Sequence, residues 1–157
     1  MSKLNFITFT NKGYVDYTKN LLVSNIKNNV NVDIKVYTLD NYSYEYFSDF
    51  HRNVELFVKD DFANKYLSQA DENFGNLMLV KFELIYQELL NNENVLYVDG
   101  DIVFKQNFED YILNYSPDSD IVFQNDLRPS KPNREWVCAG FMYCLLYTSP
   151  SPRDRIS

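Results

Sequence analysis

Hydrophobic and polar positions alternate along this chain with two periods, one typical of strands and one typical of helices. Short runs rich in β-branched and aromatic residues predict strands at 6–10, 32–40, 54–58, 95–98, 121–123 and 136–143. Apolar residues at helical spacing predict helices at 14–27, 42–50, 62–69, 76–90 and 108–115. Strands and helices that follow one another in this way are typical of an α/β domain whose sheet is mainly parallel.

The clearest of these helices is 76–90. Its predicted core-facing side carries the apolar residues Met78, Phe82, Ile85, Tyr86 and Leu89. Lys81 lies beside this face, where it is either a solvated lysine or a cation that serves a binding site. The spacing leaves both interpretations open.

Two carboxylates, Asp99 and Asp101, follow the buried run 95–98 and are separated by Gly100. We expect the chain to stay extended through 102–104, so that side chains two positions apart point to the same side. Two like charges placed so close together repel each other unless a cation lies between them. Hard divalent ions prefer oxygen ligands, with substrate phosphates completing the shell. The pair therefore predicts a site for Mg²⁺ or Mn²⁺, and the bare backbone of Gly100 would admit a phosphorylated ligand.

Polar residues follow four of the predicted strands. They are Thr10 with Asn11, Asp40, Asp99 with Asp101, and Asn125 with Asp126. Ligands of open α/β sheets bind beyond the carboxyl ends of parallel strands. We therefore expect these residues to share one rim of the sheet. Asp40 is equally well explained as a turn former, and Asp126 by the chemistry of the proline-containing loop that follows it.

The chain is acidic, with a formal net charge of −7, and it is rich in aromatic residues, with 13 tyrosines and 12 phenylalanines. An acidic chain lacks the basic surface that sequence-independent nucleic-acid binding requires, so nucleic acid is not an expected partner. We expect no membrane span, because no apolar run is long enough. No secretory segment opens the chain, and the expected location is the cytoplasm.

The last part of the chain has an unusual sequence. Residues 144–154 read Cys-Leu-Leu-Tyr-Thr-Ser-Pro-Ser-Pro-Arg-Asp, which resembles a translated transposase sequencing adapter over its whole length. We interpret 144–157 as a non-native tail and 1–143 as the N-terminal part of a natural domain. The alternative is a natural linker rich in proline and serine. With Cys144 in the tail, Cys138 is the single natural cysteine, as expected in a reducing compartment.

Three segments in fixed order resemble the nucleotide-diphospho-sugar transferases of GT-A fold, above all their glycogenin-like and plant α-glycosyltransferase-like groups. They read Lys-Phe-Glu-Leu-Ile at 81–85, Val-Leu-Tyr-Val-Asp-Gly-Asp-Ile-Val-Phe at 95–104 and Ala-Gly-Phe-Met-Tyr at 139–143. The resemblance spans most of 4–143. It implies a Rossmann-like α/β fold, with a mainly parallel sheet flanked by helices, that is incomplete at its C-terminal end.

The resemblance also implies roles for individual residues. Asp99 and Asp101 would hold Mn²⁺ or Mg²⁺ against the donor diphosphate, with Asp99 serving either the metal or the ribose. Lys81 is similar to the basic residue that faces the donor and Asp126 to the acidic residue near the donor sugar, so these two are the candidate catalytic residues. The candidate donor-binding residues are Thr10, Asn11, Asp40, Lys81, Asp99, Gly100 and Gly140.

The implied activity is the transfer of a sugar from a nucleoside diphosphate, with UDP favoured, to an acceptor hydroxyl, with retention at the anomeric carbon. Two other functions stay open at this point. One is a haloacid-dehalogenase-like phosphohydrolase, in which Asp99 would be the nucleophile and Asp101 the acid and base. The other is a nucleotide-sugar-binding fragment without activity. The family's later metal-binding histidine has no counterpart, since the one histidine of the chain is His51.

Overall fold

The six strands of the described residues form one sheet. The computed structural model describes residues 4–57, 66–68, 71–115, 119–126 and 137–146. The strands are β1 (Phe6–Thr10), β2 (Ile34–Thr38), β3 (Val54–Leu56), β4 (Asn94–Val98), β5 (Ile121–Asn125) and β6 (Val137–Leu145). The helices are α1 (Val15–Lys27), α2 (Asn41–Ser48), α3 (Phe74–Leu89) and α4 (Glu109–Tyr115), with a short 3₁₀ turn at Lys12–Tyr14.

The order of the strands across the sheet is β3-β2-β1-β4-β6-β5. β1 pairs in parallel with both β2 and β4, and β2 pairs in parallel with β3. β6 is the exception, because it runs antiparallel to its neighbours β4 and β5. The predicted α/β class with a mainly parallel sheet is thus confirmed. The carboxyl ends of β1, β2, β4 and β5 meet at one rim, where β6 begins.

The sheet carries a hydrophobic core on each face. One core contains Leu21 and Leu22 of α1, Phe47 of α2 and Ile112 of α4, so these helices cover the same face. The other core contains Leu77, Val80 and Leu84 of α3. Alternate residues of β4 serve the two cores, as the period of two in a strand requires. None of the described helices is long and apolar enough to cross a membrane.

The predicted apolar face of α3 is confirmed only in part, because Ile85 is buried and Met78 and Leu89 pack against the core, whereas the two aromatic residues do not. Phe82 and Tyr86 are 52% and 64% exposed, whereas Leu77, Val80, Leu84 and Ile85 are buried. The helix has large apolar residues on nearly every side, so its periodicity does not identify the side that packs on the sheet. One consequence concerns Lys81, which turns into the protein with only 2% of its surface exposed.

The structure contradicts one further local prediction and describes only part of another. Residues 102–104 do not continue β4, because the chain turns after Val98 and leaves the sheet. The predicted helix at 62–69 lies mostly outside the described residues, and its described part, 66–68, is not helical. The proline-containing loop at 127–136 and most of the predicted turn at 116–119 also lie outside the described residues.

The packed structure continues a little beyond the predicted end of the natural sequence at Tyr143. β6 runs on through Cys144, which is buried and pairs with Val95, to Leu145. The amide of Leu146 then donates a hydrogen bond to the carbonyl oxygen of Glu93. The first residues of the predicted tail therefore extend the strand. The non-native origin of the tail stays a prediction.

Candidate active site

The two carboxylates lie at the carboxyl end of β4, in the middle of the sheet. β4 is buried along its whole length, which fixes the point where Asp99 leaves the sheet. The amide of Asp99 donates to the carbonyl oxygen of Gly140 at 2.8 Å, and the amide of Ile102 donates back to the carbonyl oxygen of Asp99 at 3.2 Å. A tight turn, rather than extended backbone, thus brings Asp99 and Asp101 to the same cavity, which has a volume of about 250 Å³.

Two buried donors bind one carboxylate oxygen of Asp99. The Tyr97 hydroxyl donates to Oδ1 at 2.6 Å, and the Lys81 ammonium forms an ion pair with the same oxygen at 2.9 Å. Lys81 also donates to the carbonyl oxygen of Ala139 at 2.9 Å and lies 4.8 Å from the centre of the Tyr97 ring. The solvated-lysine interpretation of Lys81 is therefore wrong. Asp99 is also not an unpaired carboxylate, which removes part of the repulsion inferred from the sequence.

Electrostatics keep the Tyr97 hydroxyl protonated. Burial raises the pKa of Tyr97 well above its usual value, and the negative charge of Asp99 and its hydrogen bond raise this pKa further. Tyr97 is therefore a fixed donor and Asp99 a fixed acceptor. A ligand in the cavity would meet the carboxylate of Asp99, which is held through Oδ1, and the exposed carboxylate of Asp101.

Both predicted glycines occupy positions where protein atoms leave no room for a side chain. A Cβ atom on Gly140 would lie 2.7 Å from Oδ2 of Asp99. A Cβ atom on Gly100 would lie 2.5 Å from Oγ1 of Thr18, in α1. Gly100 also lines the cavity. The sequence predicts that the bare backbone of Gly100 admits a ligand, but it does not predict that Gly100 packs against Thr18.

Thr10, Asn11 and Asp40 form a buried network in the loops after β1 and β2. Asn11 accepts the Gly13 amide at 2.9 Å through its side-chain oxygen, and the Thr10 hydroxyl donates to the Asn11 carbonyl oxygen at 3.4 Å. Asp40 caps α2 by accepting the amide of Ser43 at 2.8 Å, while its other oxygen accepts the amide of Lys12 at 2.7 Å. These contacts show what the side chains do in the fold. Donor contact by Thr10, Asn11 or Asp40 stays a prediction.

Five aromatic side chains line the cavity. The lining residues other than the carboxylate turn are Phe9, Tyr14, Tyr66, Leu67, Ser68, Phe74, Leu77, Met78 and Tyr97. The rings of Tyr14 and Tyr66 lie 4.9 Å apart, and the Tyr14 hydroxyl donates to the carbonyl oxygen of Leu67 at 2.6 Å. Burial raises the pKa of Tyr14, and the nearby charge of Asp101 contributes to this rise. A phenol and a carboxylate thus share one end of the cavity.

Sequence reasoning missed this aromatic wall. In the sequence, Tyr14 is one apolar position of the helix predicted at 14–27, and Tyr97 is part of the buried run 95–98. One signal was available, because Tyr97 lies two positions before Asp99 and so points to the same side of the strand. The position of Tyr66 beside Tyr14 depends on the fold, since 52 positions separate the two in the chain.

Asp126 follows β5 and lies on the expected rim, but it does not line the cavity. β6 lies between β4 and β5 in the sheet. Asp126, at the end of β5, is therefore two strand spacings, or roughly 10 Å, from β4 in the direction across the strands. The structure thus brings Asp99, Gly100 and Asp101 together at the cavity, with Lys81 and Gly140 directly behind Asp99. The role of Asp126 near a donor sugar stays a prediction.

The chemistry of the carboxylate turn suits a hard divalent ion. No group of three or more histidine, cysteine, aspartate or glutamate side chains lies together in the part of the chain that the structure describes. Mg²⁺ sites in proteins commonly use only one or two carboxylates and take further oxygens from substrate phosphates and water. The carboxylates of Asp99 and Asp101, which both line the cavity, fit a site of this kind.

The family of the chain follows from its sequence. The profile of the nucleotide-diphospho-sugar transferase family matches residues 32–145, which include β2 to β6 and the carboxylate turn. The chain belongs to this family. The resemblance read from the three sequence segments is confirmed, and the phosphohydrolase alternative receives no support. No curated protein matches the chain.

Solved structures with the same fold include the galactosyltransferase LgtC. In its complex with donor and acceptor sugar analogues, LgtC matches with a TM-score of 0.61 and 15% identity, over 90% of this chain and 57% of LgtC. An active-site mutant of LgtC matches with a TM-score of 0.63 and 14% identity, with the same coverage. At this identity the likeness establishes the GT-A fold alone. The chain spans about 57% of the length of these proteins.

Proposed function

We propose that this fold belongs to a metal-dependent glycosyltransferase that moves a sugar from a nucleoside diphosphate to an acceptor hydroxyl. The observation that carries the proposal is the carboxylate turn of Asp99 and Asp101, which opens into a cavity with aromatic walls. The family of the chain supports the donor class. Because the chain spans 57% of its structural neighbours, a fragment that binds nucleotide sugar without turnover is the second candidate.

The cavity suits the nucleoside part of the donor. Aromatic rings bind nucleobases by stacking, each stacked base contributing about 1–3 kcal/mol. Tyr14 and Tyr66 supply such rings at one wall, and Asp101 lies at the same end of the cavity. UDP as the nucleotide of the donor is proposed from the resemblance to glycogenin-like transferases.

The residues around the carboxylates would orient the donor diphosphate. A Mn²⁺ or Mg²⁺ ion held by Asp99 and Asp101 would supply positive charge where the diphosphate leaves. Lys81 and Tyr97 hold Asp99 in one orientation through Oδ1. The buried charge of Lys81 also offsets that of Asp99, so an incoming diphosphate meets less repulsion at the turn than two free carboxylates would produce.

The remaining parts of the proposal rest on the family. Retention at the anomeric carbon is expected from the resemblance to glycogenin-like transferases, and Asp126 is the residue proposed to lie near the donor sugar. A cytoplasmic location is proposed because Cys138 is the single natural cysteine of the chain, as expected in a reducing compartment.

Calorimetry of UDP binding tests the proposal. We expect UDP to bind in the presence of Mn²⁺ and the binding to be lost when excess EDTA removes the ion. Asp101→Ala should abolish the Mn²⁺-dependent part, whereas Asp110→Ala, an exposed carboxylate in α4, should not change it. Equal affinity with Mn²⁺ and with EDTA would contradict the metal-dependent site. Binding without hydrolysis or transfer of a UDP-sugar would favour the second candidate.

A further inference from the structure

The segment after the carboxylate turn is attached to α1 along its length. The amide of Phe104 donates to the Ser24 hydroxyl at 2.9 Å, and the Asn28 side chain donates to the Phe104 carbonyl oxygen at 2.6 Å. Gly100, at the start of the same segment, packs against Thr18. Thr18 and Ser24 of α1, and Asn28 directly after it, therefore contact the chain at Gly100 and Phe104, on either side of Asp101.

The contact between Gly100 and Thr18 explains why residue 100 is a glycine. No described glycine has a positive φ, so the backbone conformation of Gly100 is open to other residues. Space is the constraint, because a Cβ atom there would lie 2.5 Å from Oγ1, 3.5 Å from Cβ and 3.6 Å from Cα of Thr18. Only the contact with Oγ1 is too short. The obstacle is thus the branched end of the Thr18 side chain and not the backbone of α1.

No hydrogen bond among the described residues explains why position 18 carries a hydroxyl group. The Thr18 side chain is fully buried, and Oγ1 has no hydrogen-bond partner among the described residues. An unpartnered buried hydroxyl is unfavourable for stability. Since threonine carries two heavy atoms on Cβ, two of its three staggered rotamers direct one of them at Gly100. The carboxylate turn is therefore in steric contact with the Thr18 side chain and makes no polar interaction with it.

We propose that Thr18 is a positioning residue for the carboxylate pair: it packs against the bare backbone of Gly100 and thereby sets the position of Asp101. The role of this contact in ligand binding rests on the proposed function, whereas the contact itself does not. Thr18 does not line the cavity and touches no ligand group. A side chain at position 100 would push the turn away from α1, and shifts of this kind next to a metal site commonly weaken metal binding about 10–100-fold.

A set of paired variants tests this inference. Gly100→Ala is made in three backgrounds, with Thr18 unchanged, Thr18→Ala and Thr18→Val. The alanine at position 18 removes the atom that collides and leaves only a Cβ at an ordinary contact distance. Valine keeps the branched shape without the hydroxyl and is the matched control. Each protein is measured for its Tm and for its Mn²⁺-dependent affinity for UDP.

We expect Gly100→Ala to lower Tm and to weaken Mn²⁺-dependent UDP binding about tenfold or more when residue 18 is threonine or valine. In the Thr18→Ala background the same change should cost at most about threefold, because no contact shorter than an ordinary van der Waals distance is left. Equal losses in all three backgrounds would overturn the inference. If the unaltered protein binds no UDP with Mn²⁺, the proposed function fails, and the Tm differences alone decide whether Thr18 and Gly100 are matched.

Discussion

The two carboxylates of the turn are expected to differ in their effect on stability. Asp99 is the counter-ion of Lys81, whose side chain is 3% exposed, while Asp101 is exposed to solvent. Removing one partner of a fully buried ion pair costs about 3–5 kcal/mol, because the other charge stays buried without compensation. The Asp99 side chain is 36% exposed, so water screens the pair, and we reduce the expected cost of Asp99→Ala to about 2–3 kcal/mol.

This loss is measurable by thermal unfolding. For a chain of this length, 1 kcal/mol corresponds to about 2–4 °C, so Asp99→Ala should lower Tm by about 4–12 °C. Asp101→Ala should change Tm by no more than about 2 °C, as expected for an exposed site. Asp99→Asn should fall between them, since its amide oxygen still accepts hydrogen bonds from Lys81 and Tyr97.

A double variant separates the ion pair from other causes. Lys81→Met combined with Asp99→Ala removes both charges and replaces the buried lysine with an apolar side chain of similar length. We expect this protein to regain more than half of the Tm lost in Asp99→Ala, because the uncompensated charge is gone. Circular dichroism at fixed pH and salt gives the values. Equal Tm shifts for Asp99→Ala and Asp101→Ala, or no recovery in the double variant, would refute the reasoning.

Three further outcomes are expected. Asp101→Ala should lower UDP-sugar turnover at least about a hundredfold in any form of the protein that shows turnover with Mn²⁺, and unchanged turnover would contradict the site assignment. Cys138, which is half-buried, should react with a thiol reagent faster than the buried Cys144, whose pKa is raised by desolvation; the reverse order, measured by mass spectrometry, would contradict the packing of β6. Deleting 148–157 should change the free energy of unfolding by less than about 0.5 kcal/mol in urea denaturation, whereas a large loss would show that the tail belongs to the folded domain.

The sequence by itself determined the order of the strands and helices. Each element has its own local pattern of apolar residues, with a period of two in β1 and β2 and of about 3.6 in α1, and these patterns depend on neighbouring residues only. The buried run of β4 followed by Asp99 and Asp101 likewise located the candidate site. The carboxyl ends of parallel strands meet at one rim, so the alternation of elements was enough to predict that polar residues gather there.

Only the tertiary structure decided what surrounds these carboxylates. The side of α3 that packs on the sheet could not be read from a helix with apolar residues all round, so the burial of Lys81 on Asp99 was hidden. The contact of Gly100 with Thr18 joins residues that are 82 positions apart. Local periodicity reports which side of an element is apolar, but it carries no information about which distant element will occupy the adjacent space. Which residues surround Asp99 and Asp101 depends on how α1, α3 and β6 pack against β4.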